Sequence, residues 1–306
     1  MTSDKQLSAA KVSLFTRHLS LITAFARLLT RAALIKNILT PAFRRGGTIS
    51  VRVAVLGSGS SGNCTFLATE RVKILIDAGL SKRETLRRLA LIGERWESLD
   101  AILVTHEHSD HIGGLARLAS EPRIPVYLSP RTRAALPPQI KLAAVETFQP
   151  GCRFEVGDLT AEPFTIPHDA VDPVAFRFTA EGVRIAIVTD LGYMPENVKH
   201  YLSGCHGLIL ESNHDLEMLR NGPYPWYVKQ RVGGQTGHLS NDALGKFLRE
   251  EFDREARVLV LAHLSQQNNH PEIARLEAAA ALETQSARET RLVVSSQSEP
   301  TEMFWF

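Results

Sequence analysis

Ala101-Ile-Leu-Val-Thr-His-Glu-His-Ser-Asp-His-Ile-Gly-Gly114 sets three histidines and an aspartate within six residues, directly after a short apolar run. Ala101 to Val104 reads as a buried strand. Beyond it His106, His108 and Asp110 recur at every second position, which in extended chain puts three ligand-type side chains on one side. His111 breaks that alternation. Gly113-Gly114 allows a tight turn, and Leu115-Ala-Arg-Leu-Ala119 opens a helical pattern, so the cluster is expected at a strand's carboxyl end. Four such ligands crowd a single ion, and a second ion is the natural way to use them.

Later segments repeat this grammar of a strand ending in a potential ligand. Thr160 to His168 delivers His168, Val183 to Asp190 delivers Asp190, and Arg257 to His263 delivers His263. Gly207-Leu-Ile-Leu-Glu211 is a further strand, running into Ser212-Asn-His-Asp215. Divalent zinc, manganese or iron accepts such a set of five histidines and two aspartates without thiolate, and sequence does not choose among them.

Upstream, Val51 to Leu56 reads as a strand that runs into Gly57-Ser-Gly-Ser-Ser-Gly62. This has the form of a dinucleotide-binding fingerprint, with Asp77 twenty residues beyond Gly57. That motif must open a helix, whereas Asn63 to Ala68 and Val72 to Asp77 are β-rich and read as two more strands of a meander. The glycines are better suited to a tight loop beneath a metal site, with Asp77 either holding that loop or serving as a turn residue. Ser81-Lys-Arg-Glu84 has the form of a capping box before an amphipathic helix. Strands come in two batches, each followed by helices, which suggests two halves of a β-sandwich with helices outside.

At 306 residues and 44% hydrophobic content the chain can bury a full core. Cys64, Cys152 and Cys205 have no paired spacing, which fits a reducing, cytoplasmic compartment and small buried thiols. Residues 1–50 hold eight Lys or Arg against one Asp, a balance of +7, so residues 51–306 carry −5 of the net +2. The extension reads as a basic amphipathic helix without an apolar run long enough to span a membrane. It could be a surface-binding helix, a transit peptide, or translated sequence ahead of a start at Val51. The division expected is therefore an extension, 1–50, and a domain that carries the metal-ligand candidates, 51–306.

His106-x-His-x-Asp-His111 followed by single His168, Asp190 and His263 resembles the metallo-β-lactamase superfamily. The likeness implies an α/β (α+β) architecture, an αββα four-layer sandwich. It also implies that His106, His108 and His168 hold one metal, Asp110, His111 and His263 a second, and that Asp190 bridges them. The Gly57 to Asn63 loop, Glu211 to Asp215, Gly222-Pro-Tyr-Pro-Trp226, Gly237-His-Leu-Ser-Asn241 and Ala262 to Gln266 resemble the WalJ-like bacterial branch, associated with 5′-to-3′ DNA exonuclease activity. Only 72 residues separate Asp190 from His263, too few for the inserted domain of RNA-processing relatives.

The expected function is thus a metal-dependent phosphodiesterase acting on DNA through a metal-bridging hydroxide. Asp110 would orient that hydroxide or take its proton, and His238 would contact a phosphate or protonate the leaving oxygen. Asp77, Asn63, His214, Ser240 and Asn241 are expected behind the ligands or near substrate. Arg220, Lys229 and Arg231 around Trp226 and Tyr227 suit backbone charge plus base stacking in a single strand. His18, His200, His206 and His270 have no supporting pattern. The rival reading is a small-molecule hydrolase on the same core, such as a glyoxalase II-like thioesterase, which the mildly acidic domain favours.

Overall fold

Along the third strand Ile74 and Ile76 join one apolar cluster while Leu75, between them, joins another. That two-residue alternation, with both faces apolar, makes a sheet covered on both sides. The computed structural model describes residues 51–120, 123–287 and 289–306; the basic extension expected over 1–50 lies outside the described residues.

The first sheet holds β1 (Arg52–Gly57), β2 (Cys64–Ala68), β3 (Lys73–Ile76), β4 (Ala101–Leu103), β5 (Val126–Leu128) and β6 (Val145–Thr147) in chain order. The second holds β7 (Phe154–Val156), β8 (Leu159–Thr165), β9 (Val174–Ala180), β10 (Val183–Val188), β11 (Gly207–Glu211), β12 (Val258–Ala262) and β13 (Arg291–Val294). Short β14 (Phe304–Trp305) returns to pair with β1. Each sheet begins as an antiparallel meander and continues with parallel strands. The two batches foreseen in the sequence are these two sheets.

Helices α1 (Lys82–Leu91), α2 (Ser109–Ile112), α3 (Leu115–Leu118) and α4 (Pro130–Ala135) follow strands of the first sheet. Helices α5 (Glu196–Leu202), α6 (Leu216–Asn221), α7 (Trp226–Val232), α8 (Asn241–Glu250) and α9 (Pro271–Thr284) follow strands of the second. Val55, Leu67, Phe176, Ile187 and Val260 pack in the cluster shared by both sheets. Leu56, Phe66, Leu89 and Leu115 form an outer cluster of the first sheet, and Val188, Leu210, Leu248 and Ala278 one of the second. Three apolar interfaces make the four layers α, β, β, α. No helix among the described residues is long and apolar enough to cross a membrane.

As expected, the Gly57 to Gly62 loop leads into strand β2 and opens no helix, so it is not a dinucleotide site. Other local expectations change. Strand β4 stops at Leu103: the Thr105 N–H donates to the Asp77 carboxylate at 2.8 Å, and the chain leaves the ladder. Asp110 and His111 therefore lie on the helical turn α2 and do not continue an extended alternation. Gly114 serves a close approach, since a Cβ there would meet the Leu80 carbonyl oxygen at 1.9 Å. Cys64 and Cys205 are buried, and burial pushes the Cys205 thiol up to about 12, but Cys152 is exposed on the surface.

Candidate metal centre

The seven expected ligands converge at the carboxyl ends of β4, β8, β10 and β12. His106, His108 and His168 present ring nitrogens within 4.8 Å of one another, and Asp110, His111, Asp190 and His263 form a second such group. Asp190 touches both: Oδ2 lies 3.2 Å from His111 Nε2, and Oδ1 lies 3.9 Å from His168 Nε2. A third grouping adds Glu211 and His238 to Asp190 and His263. There, however, both imidazoles already direct Nδ1 at Glu211, at 2.8 Å each, so Glu211 acts as an anchor behind the ligands.

Four of the five expected ligand histidines, His106, His111, His168 and His263, are oriented by a partner on one nitrogen. His111 donates from Nδ1 to Asp77 Oδ2 at 2.7 Å, and His168 donates from Nδ1 to the Gly237 carbonyl at 3.2 Å. His106 Nδ1 meets the Thr105 hydroxyl at 3.0 Å, and that hydroxyl in turn bonds Asp77 at 2.9 Å. Asp77 thus holds one ligand directly and a second through Thr105. The arrangement leaves Nε2 of these rings turned to a common space, the way a carboxylate or carbonyl fixes a metal-binding imidazole. His106 Nε2, His263 Nε2 and Asp190 Oδ2 are buried without a hydrogen-bond partner. Orphaned buried atoms of this kind are costly unless a cation takes them up. His108 Nδ1 and His168 Nε2 stand 3.2 Å apart; a tetrahedral ion with metal–nitrogen bonds of about 2.0–2.1 Å needs roughly 3.3 Å. The residues fit divalent metal.

Electrostatics point the same way. Burial holds His106 well below the usual histidine range and also lowers His168, so both are neutral donors. For His111 burial opposes charge, but Asp190 and Asp77 overcome it and raise the ring well above its ordinary value. His263 behaves alike: burial lowers it, while Asp190, Asp110 and Glu211 drive it up to about 10. Burial would raise the Asp110 carboxyl, yet the His111 and His263 rings beside it hold it well below the carboxylate range. A packed set of carboxylates thus retains positive charge, which protons supply here and a divalent cation can replace.

Backbone geometry at the strand ends is unusual. Asp77, Asp190 and His263 have φ of 62°, 64° and 55°, the left-handed region that costs such residues about 1–3 kcal/mol each and clusters at functional sites. The Gly57 to Asn63 loop helps to hold them. Ser58 Oγ accepts the His263 N–H at 2.8 Å, and Asn63 donates to Asp110 Oδ2 at 3.0 Å. Gly79 lets that loop approach α2, because a Cβ there would sit 1.7 Å from the Asp110 carbonyl oxygen.

A cavity of about 350 Å³ opens over this cluster, with Asp110, Asp190, His238, His263, Tyr224 and Arg231 among its lining. A larger one of about 540 Å³ lies against Arg254 and Arg257, before β12 begins and so at the end of that strand away from His263; the smaller one adjoins the ligands. His238 lies in the wall of the smaller cavity, beside the expected ligands. Ser240 and Asn241 lie behind it, one of the two positions expected for them. Ser240 caps α8 by accepting the Ala243 N–H, and Asn241 bonds Ser212 and Asn269 in a buried network, so both shape the scaffold behind the cavity. His214 is likewise buried, and burial lowers it to about 4, so it is neutral at pH 7 and no surface histidine.

Sequence reasoning missed Thr105 and the anchoring part played by Glu211. An acid closing the apolar run Gly-Leu-Ile-Leu-Glu211 was the available signal for the second; the first had none.

Residues 72–264 match the model of the beta-lactamase superfamily domain. The chain belongs to the metallo-β-lactamase superfamily. Within it, the chain is 37% identical over 233 residues to Exodeoxyribonuclease WalJ of Streptococcus pneumoniae serotype 2, covering 74% of this chain and 87% of that one. It is 36% identical over 238 residues to Exodeoxyribonuclease YycJ of Bacillus anthracis, covering 77% and 90%. These relatives place it in the WalJ-like branch of the superfamily. The crystal structure of the metallo-β-lactamase fold protein YhfI from Bacillus subtilis superposes with a TM-score of 0.63 at 17% identity, over 82% of this chain and 99% of that one.

Proposed function

We propose that this protein is a metal-dependent DNA exonuclease that hydrolyses a phosphodiester in the cavity above Asp110, Asp190 and His263. The observation that carries the reading is the meeting of two ligand groups at one cavity, in a chain 37% identical to an exodeoxyribonuclease over most of its length.

His106, His108 and His168 would hold one divalent ion, Asp110, His111 and His263 a second, with Asp190 between them. Zinc and manganese both suit this donor set, and iron is compatible with it. When bound, such a pair supplies a nucleophile from water near neutral pH and counter-charge for the phosphoryl oxygens. The chain's own residues do the rest. Asp110, 19% exposed against 3% for Asp190, is the carboxylate suited to orient the attacking water or take its proton. His238, fixed through Nδ1 by Glu211, keeps Nε2 to contact a phosphate or protonate the leaving oxygen. Arg231, held to Asp169, brings positive charge to the cavity wall.

A 5′-to-3′ direction, a single-stranded end and a reducing, cytoplasmic location complete the reading; three free cysteines support the last. The test is incubation of the protein with manganese or zinc and 5′-phosphorylated DNA, beside a thioester of the glyoxalase II type. Metal-dependent release of nucleotides is expected. Ready thioester cleavage with intact DNA would overturn the proposal.

A further inference from the structure

The segments that line the cavity also carry exposed aromatic rings that the hydrolytic chemistry does not use. Helix α7 buries none of its residues. Tyr224, Val228, Arg231 and Val232 of this segment line the cavity, and beside them Trp226 and Tyr227 are 71% and 72% exposed. Tyr193, three residues beyond Asp190, is 48% exposed. Rings of this size left in water mark a binding surface more often than a stray surface residue does.

These segments are fixed relative to the ligands. Arg231 Nε contacts Asp169 Oδ2 at 2.5 Å, and Asp169 directly follows His168. The turn after α7 presses on the loop after Asp190, since a Cβ on Gly192 would lie 2.2 Å from the Gln235 carbonyl oxygen. Charge on the same helix suits a polyanion. Lys229 Nζ donates to the Arg220 carbonyl at 2.7 Å, and among the described residues no carboxylate pairs with it. Its charge is therefore free for phosphate.

We propose that Trp226 and Tyr227 form a stacking platform for unpaired bases of a DNA single strand whose terminal phosphodiester enters the cavity, with Lys229 and Arg231 attending its backbone. This rests on the exonuclease reading above. The platform selects an unpaired end because a base within a duplex already has both faces stacked, whereas a splayed base offers a free face to an aromatic ring. Stacking is indifferent to base identity, so the site would grip every nucleotide in turn, as stepwise degradation requires.

The test uses the metal-loaded full chain and a short single strand with phosphorothioate linkages, which resists hydrolysis, with and without abasic residues at its end. Binding is read by fluorescence anisotropy. Abasic residues should weaken binding roughly five- to a hundredfold, the range for losing one stacked base. Trp226→Ala with Tyr227→Ala should weaken binding of the ordinary strand by a similar factor and no longer distinguish the abasic one. Metal content and thermal midpoint should not change, since neither ring is buried. Equal binding of ordinary and abasic strands by the unaltered protein would overturn the platform, as would concentration-dependent self-association through this face in place of base-dependent binding. Base-dependent binding without nucleotide release leaves the platform standing and removes the exonuclease reading; nucleotide release without base dependence does the reverse.

Discussion

Oε1 of Glu211 lies 2.8 Å from Nδ1 of His263. The other oxygen of the carboxylate accepts the backbone N–H groups of Leu191 and Leu239, at 2.9 and 3.0 Å. Glu211 is fully buried; burial would raise its pKa, but His238 and His263 bring it down to about 2. One acid on β11 therefore sets the tautomer of His263, holds His238 and pins the residue after Asp190. Glu211→Gln should lower metal affinity and DNA hydrolysis about ten- to a hundredfold, as loss of such an anchor does. Metal titration with elemental analysis checks it, and unchanged affinity would remove the anchoring role.

Asp190→Ala should abolish turnover and leave less metal on the purified protein, because Asp190 is the residue that faces both ligand groups. Retained nuclease activity at normal metal content would contradict the bridging position.

Asp77→Ala should weaken metal binding about tenfold or more by freeing the His111 ring. It also leaves the buried Thr105 N–H without its acceptor, a loss of about 1–3 kcal/mol of stability. Asp77→Asn can still accept from Thr105, so it should recover more of the stability, measured by denaturant unfolding, than of the metal affinity.

In the metal-free protein Glu211 and His263 should both contribute their full stabilisation between about pH 4.5 and 6.5. Glu211 is depressed from 4.5 to about 2, so its contribution is present above 4.5 and lost as pH falls through 2. His263 is raised from 6.5 to about 10, so its contribution is present below 6.5 and lost as pH rises through 10. Metal displaces the His263 proton, and affinity should therefore rise with pH across that second window. Thermal midpoints in chelator and metal titrations at several pH values test both signs.

Gly79→Ala should be severely destabilising, because the added carbon would lie 1.7 Å from the Asp110 carbonyl oxygen, where only backbone can give way. A cost of about 3 kcal/mol or more, at the upper end for overpacking, is expected in unfolding experiments, together with loss of bound metal. A neutral substitution would show that the loop and α2 are not locked together.

Much of the centre was legible because its ligands close strands that are themselves recognisable. Val183 to Val188 and Val258 to Ala262 are apolar runs whose ends advertise Asp190 and His263. Other parts were hidden for definite reasons. Strand β9 mixes Arg177 and Thr179 with phenylalanines, because Arg177 pairs with Glu162 on the neighbouring strand, so its run reads as polar from sequence. Ser240 and Asn241 are expected behind the ligands or near substrate, and which of the two holds was hidden, because the helix start and buried amide network that use their polar groups involve distant partners such as Asn269.

The sequence by itself determined the candidate ligand set, the order in which strands deliver it and the two-sheet architecture, since each depends on residue type and short periodicity. Only the tertiary structure decided that Asp110 and His111 ride a helical turn, that Glu211 anchors His263 and His238, and that Trp226 and Tyr227 stand exposed on a helix that lines the cavity. Those relations join residues far apart in the chain, as Ser58 and His263 are joined across 205 positions. A local pattern carries no record of such partners; they come together only when the two sheets pack face to face and bring their strand ends to one edge.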